Sequence, residues 1–172
     1  MPIFLIGLPG SGKTTLGKQV AKSLVIPFVD LDQAIEKAER KTITEIFKDS
    51  KEDYFRKVES ELLNKWAQSN TDYLMATGGG APCFFDNIKT MNDSGLTFFL
   101  DVPPMEIAHR IDAAKNEDRP LIKSMSFDVL KDQIEQLRSR RISYYQQAKI
   151  ILIGKNITAE EMLSLIRKET QP

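Results

Sequence analysis

Residues 7–15 read GLPGSGKTT and follow directly on the apolar run IFLI at 3–6. Gly7, Gly12, Lys13 and Thr14 fit the spacing G-x-x-x-x-G-K-[ST], and the residues that follow carry a helical pattern. A strand, a glycine-rich loop and a helix N-terminus in immediate succession form the setting in which that motif wraps a phosphate chain. The glycines let the backbone approach closely, and its N–H groups and the helix N-terminus face the phosphates. Lys13 reaches the outer phosphate oxygens, and the Thr14 hydroxyl suits a magnesium ion. Gly10, Ser11, Gly12, Lys13, Thr14 and Thr15 are therefore expected to hold ATP, with Mg²⁺ at Thr14.

Outward from this loop, short apolar runs recur between helical patterns: YLMA (73–76), LTFFL (96–100) and IILI (150–153), with a shorter one, IPFVD, at 26–30. Such runs suit strands buried on both faces, and their alternation with helices predicts an α/β fold, a parallel five-stranded sheet wrapped by helices. From Asp53 to Gln68, a stripe of Tyr54, Phe55, Val58, Leu62, Leu63, Trp66 and Ala67 predicts a core-facing helix with its charges elsewhere. A second helix is expected from about Ser126 to Ala148, with Phe127, Leu130, Ile134 and Leu137 inward. A last one opens at the capping box Thr158/Glu161. Between them, KNEDRPLIKSMS is polar and broken by Pro120, and reads as a lid over about 113–125.

The 172 residues are read as one domain, 1–172, large enough for a single core. With 24 basic and 24 acidic residues the net charge is zero, which disfavours nucleic-acid and anionic-membrane partners. Cys83 is the only cysteine, so an internal disulfide and a multi-cysteine metal site are excluded. The run MPIFLI is too short for a leader, and no apolar stretch approaches a membrane span, so a soluble cytoplasmic protein is expected. A monomer is the expectation at this size. His109 has no Cys or His partners for a metal and is read as a plain helix residue. Cys83 has no recognisable partner for nucleophilic catalysis.

The phosphate loop alone does not choose between a kinase, a motor, a GTPase and a nucleotide sensor. No N-K-x-D guanine signature is present and there is no room for motor domains, which favours a small-molecule kinase. FVDLD places Asp30 and Asp32 at the carboxyl end of the second strand, where such folds bind ligands. One of the pair can hold Mg²⁺ through water while the other meets a substrate hydroxyl. Arg56 and Glu59 stand at i and i+3 on a helix, where a carboxylate can orient a guanidinium. ATGGGAP brings Gly78, Gly79 and Gly80 after a strand, letting backbone N–H groups approach a ligand. Arg119 lies in the lid, and Arg140 and Arg141 lie near the end of the long helix. Together these predict a pocket for a small anion, a carboxylate gripped bidentately.

The blocks GLPGSGKTT, DLD, YFRKVESELL, TGGG and DRPL, with the spacing R-x-x-x-Y-x-x-x-A met by Arg140, Tyr144 and Ala148, span nearly the whole chain. In order and spacing they resemble the shikimate kinase family, of the nucleoside monophosphate kinase-like P-loop group. The resemblance implies a three-layer α/β/α fold with strand order 2-3-1-4-5, a substrate-binding helical segment over about 31–60, and a lid closing over ATP. It implies transfer of the γ-phosphoryl of MgATP to the 3-hydroxyl of shikimate, in the pathway to chorismate and the aromatic amino acids. Carried over by motif, Lys13, Asp32 and Arg119 would be catalytic. Asp32, Arg56, Gly78, Gly79, Gly80 and Arg140 would bind shikimate, with Arg138 and Arg141 as alternatives to Arg140. Thr14 and Asp30 would serve Mg²⁺, and Arg110 would lie near the adenine. Three departures stand out: GLPGSGKTT where the family commonly has GFMGSGKS, with the glycines and the lysine kept; Lys51 where the family often has glycine; and no proline between the arginine and the tyrosine of RRISYY. The rival readings are a gluconate or nucleoside monophosphate kinase, a bare ATPase, and a nucleotide-binding regulator without turnover.

Overall fold

A computed structural model describes residues 1–114 and 126–170. The elements run β1 (Ile3–Ile6), α1 (Lys13–Leu24), β2 (Phe28–Asp30), α2 (Leu31–Glu39), α3 (Ile43–Asp49), α4 (Glu52–Ala67) and β3 (Leu74–Ala76). After a 3-10 turn (Ala81–Cys83) come α5 (Asn87–Ser94), β4 (Leu96–Asp101), α6 (Pro104–Ala113), α7 (Phe127–Tyr145), β5 (Ile150–Ile153) and α8 (Ala159–Thr170). All strand pairings are parallel and the order is β2-β3-β1-β4-β5, with Ile3 opposite both Leu74 and Leu96. The expected fold class and strand order are thus both present.

Side chains alternate across a strand, so β1 divides its four buried residues between the two faces of the sheet. Phe4 and Ile6 join the core formed with Leu31, Phe55, Leu63, Ile107 and Tyr145. Ile3 and Leu5 join the opposite core formed with Leu16, Val20, Met162 and Ile166 of α1 and α8. A strand buried on both faces carries an unbroken apolar run, which is what IFLI is.

Three readings of the sequence are corrected. IILI is an edge strand rather than a strand buried on both faces: Leu152 packs inward while Ile153 is 76% exposed. On α4 the buried face runs through Phe55, Arg56, Glu59, Ser60 and Leu63, while Tyr54 is exposed. The polar residues on that face are held by partners, so the apolar stripe alone misplaced it. The lid expected over about 113–125 falls, beyond residue 114, outside the described residues, and Arg119 with it.

Helix ends follow local chemistry. Of the capping box expected at Thr158/Glu161, one half is present at the start of α8: Glu161 N donates to Thr158 Oγ1 at 3.2 Å. The reciprocal box of Thr42 and Glu45 at α3 was not read from sequence: Thr42 N donates to Glu45 Oε2 at 2.7 Å, and Glu45 N to Thr42 Oγ1 at 3.2 Å.

Candidate active site

Gly12 caps α1 with φ 95°, a left-handed backbone that aims the first turn of the helix into a cleft. That cleft has a volume of about 770 Å³. It is walled by the loop from Pro9 to Thr15, by Asp30 and Asp32, by Thr77 to Gly79, and on the far side by Arg110 and Lys155 to Thr158. It lies at the carboxyl ends of β1, β2 and β3, where a parallel sheet presents its loops.

Lys13 is buried, and its Nζ donates to the carbonyls of Gly7 (2.9 Å) and Leu8 (2.8 Å). Burial lowers its pKa to about 8, against the pull of Asp32 and Asp30, which raise it. Thr14 Oγ1 donates to Asp30 Oδ2 at 3.1 Å, so the phosphate loop and the end of β2 are tied by a hydroxyl and a carboxylate. Asp30 also caps α2 by accepting from Gln33 N. Ser11 Oγ is buried and has no partner among the described residues. An unsatisfied hydroxyl in the loop, backbone amides at a helix N-terminus and an adjacent hydroxyl–carboxylate pair of hard oxygens suit a phosphate chain and a magnesium ion. Among the described residues there is no cluster of three His, Cys, Asp or Glu side chains of the kind that would hold a metal by itself.

Asp32, in the first turn of α2, keeps much of its surface open to the cleft. Its pKa is nonetheless raised, by desolvation from the cleft walls first and then by Asp30, with Lys13 and Arg56 opposing. Gly78 lies between it and a second carboxylate: a Cβ at Gly78 would sit 2.8 Å from Asp32 Oδ1 and 3.0 Å from Glu59 Oε1. Glu59 is fully buried. Its Oε2 accepts from Arg56 Nη1 at 2.8 Å, and its Oε1 has no partner among the described residues. Burial raises its pKa, opposed by Arg56.

Arg56 is fixed on every side. Its Nε and Nη2 donate to Glu52 Oε1 (3.2 and 3.1 Å), and its guanidinium stacks on the rings of Phe84 (4.5 Å) and Phe55 (5.0 Å). Gly80 allows the closest approach: a Cβ there would fall 2.5 Å from Arg56 Nη2, so any side chain would evict the guanidinium. The Arg56–Glu59 pairing expected from the i, i+3 spacing is therefore present. The stacking on Phe84 was not legible, because Phe84 lies on a loop distant in sequence.

Of the three arginines near the end of α7, Arg141 faces the site. A Cβ at Gly79 would lie 3.0 Å from its Nη1, and its charge bears on Lys13, Glu59 and Cys83. Arg140, one residue earlier and so about 100° away around the helix, is exposed, and Arg138 is committed to Asp101 by three contacts of 2.9–3.3 Å. A signal for this was available. The inward stripe Leu130, Ile134, Leu137 continues at helical spacing to Arg141 and Tyr145, and Arg140 falls off it. Arg110 lies at the far wall, where its Nη1 donates to Ser11 O at 3.2 Å, its Nε to Glu106, and its Nη2 to Lys155 O. It ties the phosphate loop to the segment before α8. His109 is exposed and rests on Phe127, as a plain helix residue.

The sequence model of the shikimate kinase family matches residues 9–171. The shikimate kinase of Bacteroides fragilis is 45% identical over 149 residues, covering 87% of this chain and 82% of that one. That of Clostridium botulinum is 38% identical over 96% and 94% of the two chains. Among solved structures, the shikimate kinase of Bacteroides thetaiotaomicron superposes with a TM-score of 0.89 at 38% identity, over 98% of this chain and 97% of that one. The Acinetobacter baumannii enzyme in complex with shikimate gives 0.84 at 27% identity, over 99% and 95%. On that breadth of agreement the chain belongs to the shikimate kinase family.

Proposed function

We propose that this protein transfers the γ-phosphoryl group of ATP to the 3-hydroxyl of shikimate, giving ADP and shikimate 3-phosphate. The observation that carries the reading is the convergence at Gly78: Asp32, on the wall of the cleft that the phosphate loop lines, and the fully buried Glu59, which holds Arg56, approach this glycine together. A sugar-like acid needs a hydroxyl acceptor and, close by, a grip for its carboxylate; Asp32 supplies the first and the neighbouring Arg56, held by Glu59, the second.

The triphosphate would lie along the backbone from Gly10 to Thr15, with Lys13 against the phosphoryl oxygens and Arg110 beside the base. Thr14 and Asp30 would hold Mg²⁺, which supplies charge neutralisation on the phosphates when bound. Asp32 orients the acceptor hydroxyl. As the new phosphorus–oxygen bond forms and the bond to the β-phosphate oxygen breaks, the hydroxyl proton passes to the Asp32 carboxylate and ADP leaves. The raised pKa of Asp32 suits it to accept that proton. Arg56 and Arg141, rather than Arg140, would grip the substrate carboxylate, aided by the amides of Gly79 and Gly80. In a loose phosphoryl transfer, positioning and charge stabilisation dominate, which is what so many fixed side chains provide.

We further read the enzyme as a cytoplasmic monomer. The monomer rests on the size of the chain, 172 residues, which is ample for one self-contained domain; among the described residues no helix is long and apolar enough to cross a membrane. The test is ADP release from MgATP with shikimate, gluconate, AMP or no acceptor, with Lys13→Ala as control. Turnover that needs shikimate and is lost in the control is expected. Turnover only with another acceptor, or without one, removes the reading.

A further inference from the structure

Tyr145 ends α7 fully buried, its ring 5.0 Å from that of Phe99 on β4. Packing against Phe99 would be served equally by phenylalanine. The hydroxyl is a separate feature, since a buried phenol must find a partner. It finds the glycine turn: Tyr145 Oη donates to the Gly79 carbonyl at 2.6 Å, across 66 residues of sequence. Burial pushes the phenol up to about 12, so it remains a donor across the neutral range.

Two further contacts converge on Gly79. One helical turn before Tyr145, Arg141 places Nη1 3.0 Å from where a Cβ would stand, and Pro9 of the phosphate loop places Cδ 2.7 Å from the same point. Three glycines in succession make the least restrained backbone a chain can offer. Some contact must select one arrangement if the turn is to present fixed donors.

We propose that Tyr145 is a positioning residue of the acceptor site, its hydroxyl setting the plane of the Gly79–Gly80 peptide and the seat of Arg141 against it. The peptide is trans, so a carbonyl held toward α7 turns the Gly80 N–H the opposite way. Gly80 itself lies against the Arg56 guanidinium. One hydrogen bond thus fixes a backbone donor beside one arginine and a helix turn that carries the other. The proposal rests on the reading of this wall as the shikimate pocket.

Tyr145→Phe removes the hydroxyl and keeps the ring. The KM for shikimate is expected to rise about tenfold while the KM for ATP stays within about twofold, the loss of one well-placed hydrogen bond. Combined with Arg141→Lys, the two losses are expected to multiply to less than their product, because both act through Gly79. A KM for shikimate within about twofold of wild type, equal changes in both KM values, or fully multiplicative losses would overturn the proposal. Glycine-selective ¹⁵N labelling reads the same contact without any acceptor: the Gly80 amide is expected to shift and exchange faster in Tyr145→Phe. An unchanged Gly80 amide overturns the proposal even if the wild type ignores shikimate, a result that would instead remove the acceptor reading.

Discussion

Lys13 carries a charge where the fold would prefer none. Its pKa is lowered by burial to about 8, whereas the unfolded chain titrates near 10.5. Between those values the unfolded state binds the additional proton, so the wild type gains stability as pH rises through that window; below it the full cost, at most about 3 kcal/mol, is present. Lys13→Met should abolish turnover, and its melting temperature relative to wild type should fall as pH is raised from 7 to 10. A constant difference would show that the buried charge costs nothing. Arg141 and Arg140 give a sharper contrast. Arg141→Ala is expected to raise the KM for shikimate by about 30-fold or more, in line with the loss of a charged hydrogen-bonding partner, and Arg140→Ala to leave it within about twofold. Equal effects would show that the exposed residue reaches the pocket. Most of the residues proposed for the site were legible singly, because the phosphate loop and the DLD block are contiguous in sequence. Arg141 stood only as an alternative to Arg140, because motif spacing counts residues along the chain whereas the wall of a cleft selects a helix face, and the two differ by one position here. Glu59 was legible only as a partner for Arg56, since nothing in its spacing announced a carboxylate with no solvent exposure.

Elements hold the site through buried polar contacts that no hydrophobic pattern marks. Asn87, at the start of α5, is fully buried; its Oδ1 accepts from Ser60 Oγ of α4 at 2.7 Å, and its Nδ2 donates to Ala81 O at 2.9 Å. It therefore joins the helix bearing Arg56 to the turn that follows Gly80. Just before it, Phe85 and Asp86 adopt left-handed backbones (φ 49° and 55°), a conformation that costs side-chain-bearing residues energy and persists only where neighbours enforce it. Asn87→Ala is expected to destabilise the protein by about 2–4 kcal/mol in urea unfolding, since two buried partners lose their bonds. It should also raise the KM for shikimate more than that for ATP. A cost under about 0.5 kcal/mol would show the network to be dispensable. The helices themselves were readable where an apolar stripe dominates, as along α7. On α4 the stripe was read one position askew, because Arg56, Glu59 and Ser60 are buried by virtue of their partners rather than their hydropathy.

Across the whole molecule the sheet concentrates stability at its centre and thins toward its edges. On β5, Leu152 is 3% exposed while Ile153 faces outward, so Leu152→Ala should cost about 2–5 kcal/mol and Ile153→Ala little beyond 0.5 kcal/mol in chemical denaturation. Comparable losses would mean that the outer face of β5 is covered in solution. The strands were legible from their apolar runs, but their order was not. Runs of similar hydropathy say which segments are strands and not which lie side by side, so the arrangement came from the resemblance of the motif blocks. That order has a further consequence during synthesis. β1 is the earliest of the five strands and occupies the middle of the sheet, yet its partners Leu74 and Leu96 lie 71 and 93 residues after Ile3. At about 5–20 residues per second the ribosome needs several seconds to deliver them. Through that interval IFLI waits without a neighbour, an apolar segment that a holding chaperone would recognise, so the strand at the heart of the finished sheet is also the one longest at risk before it.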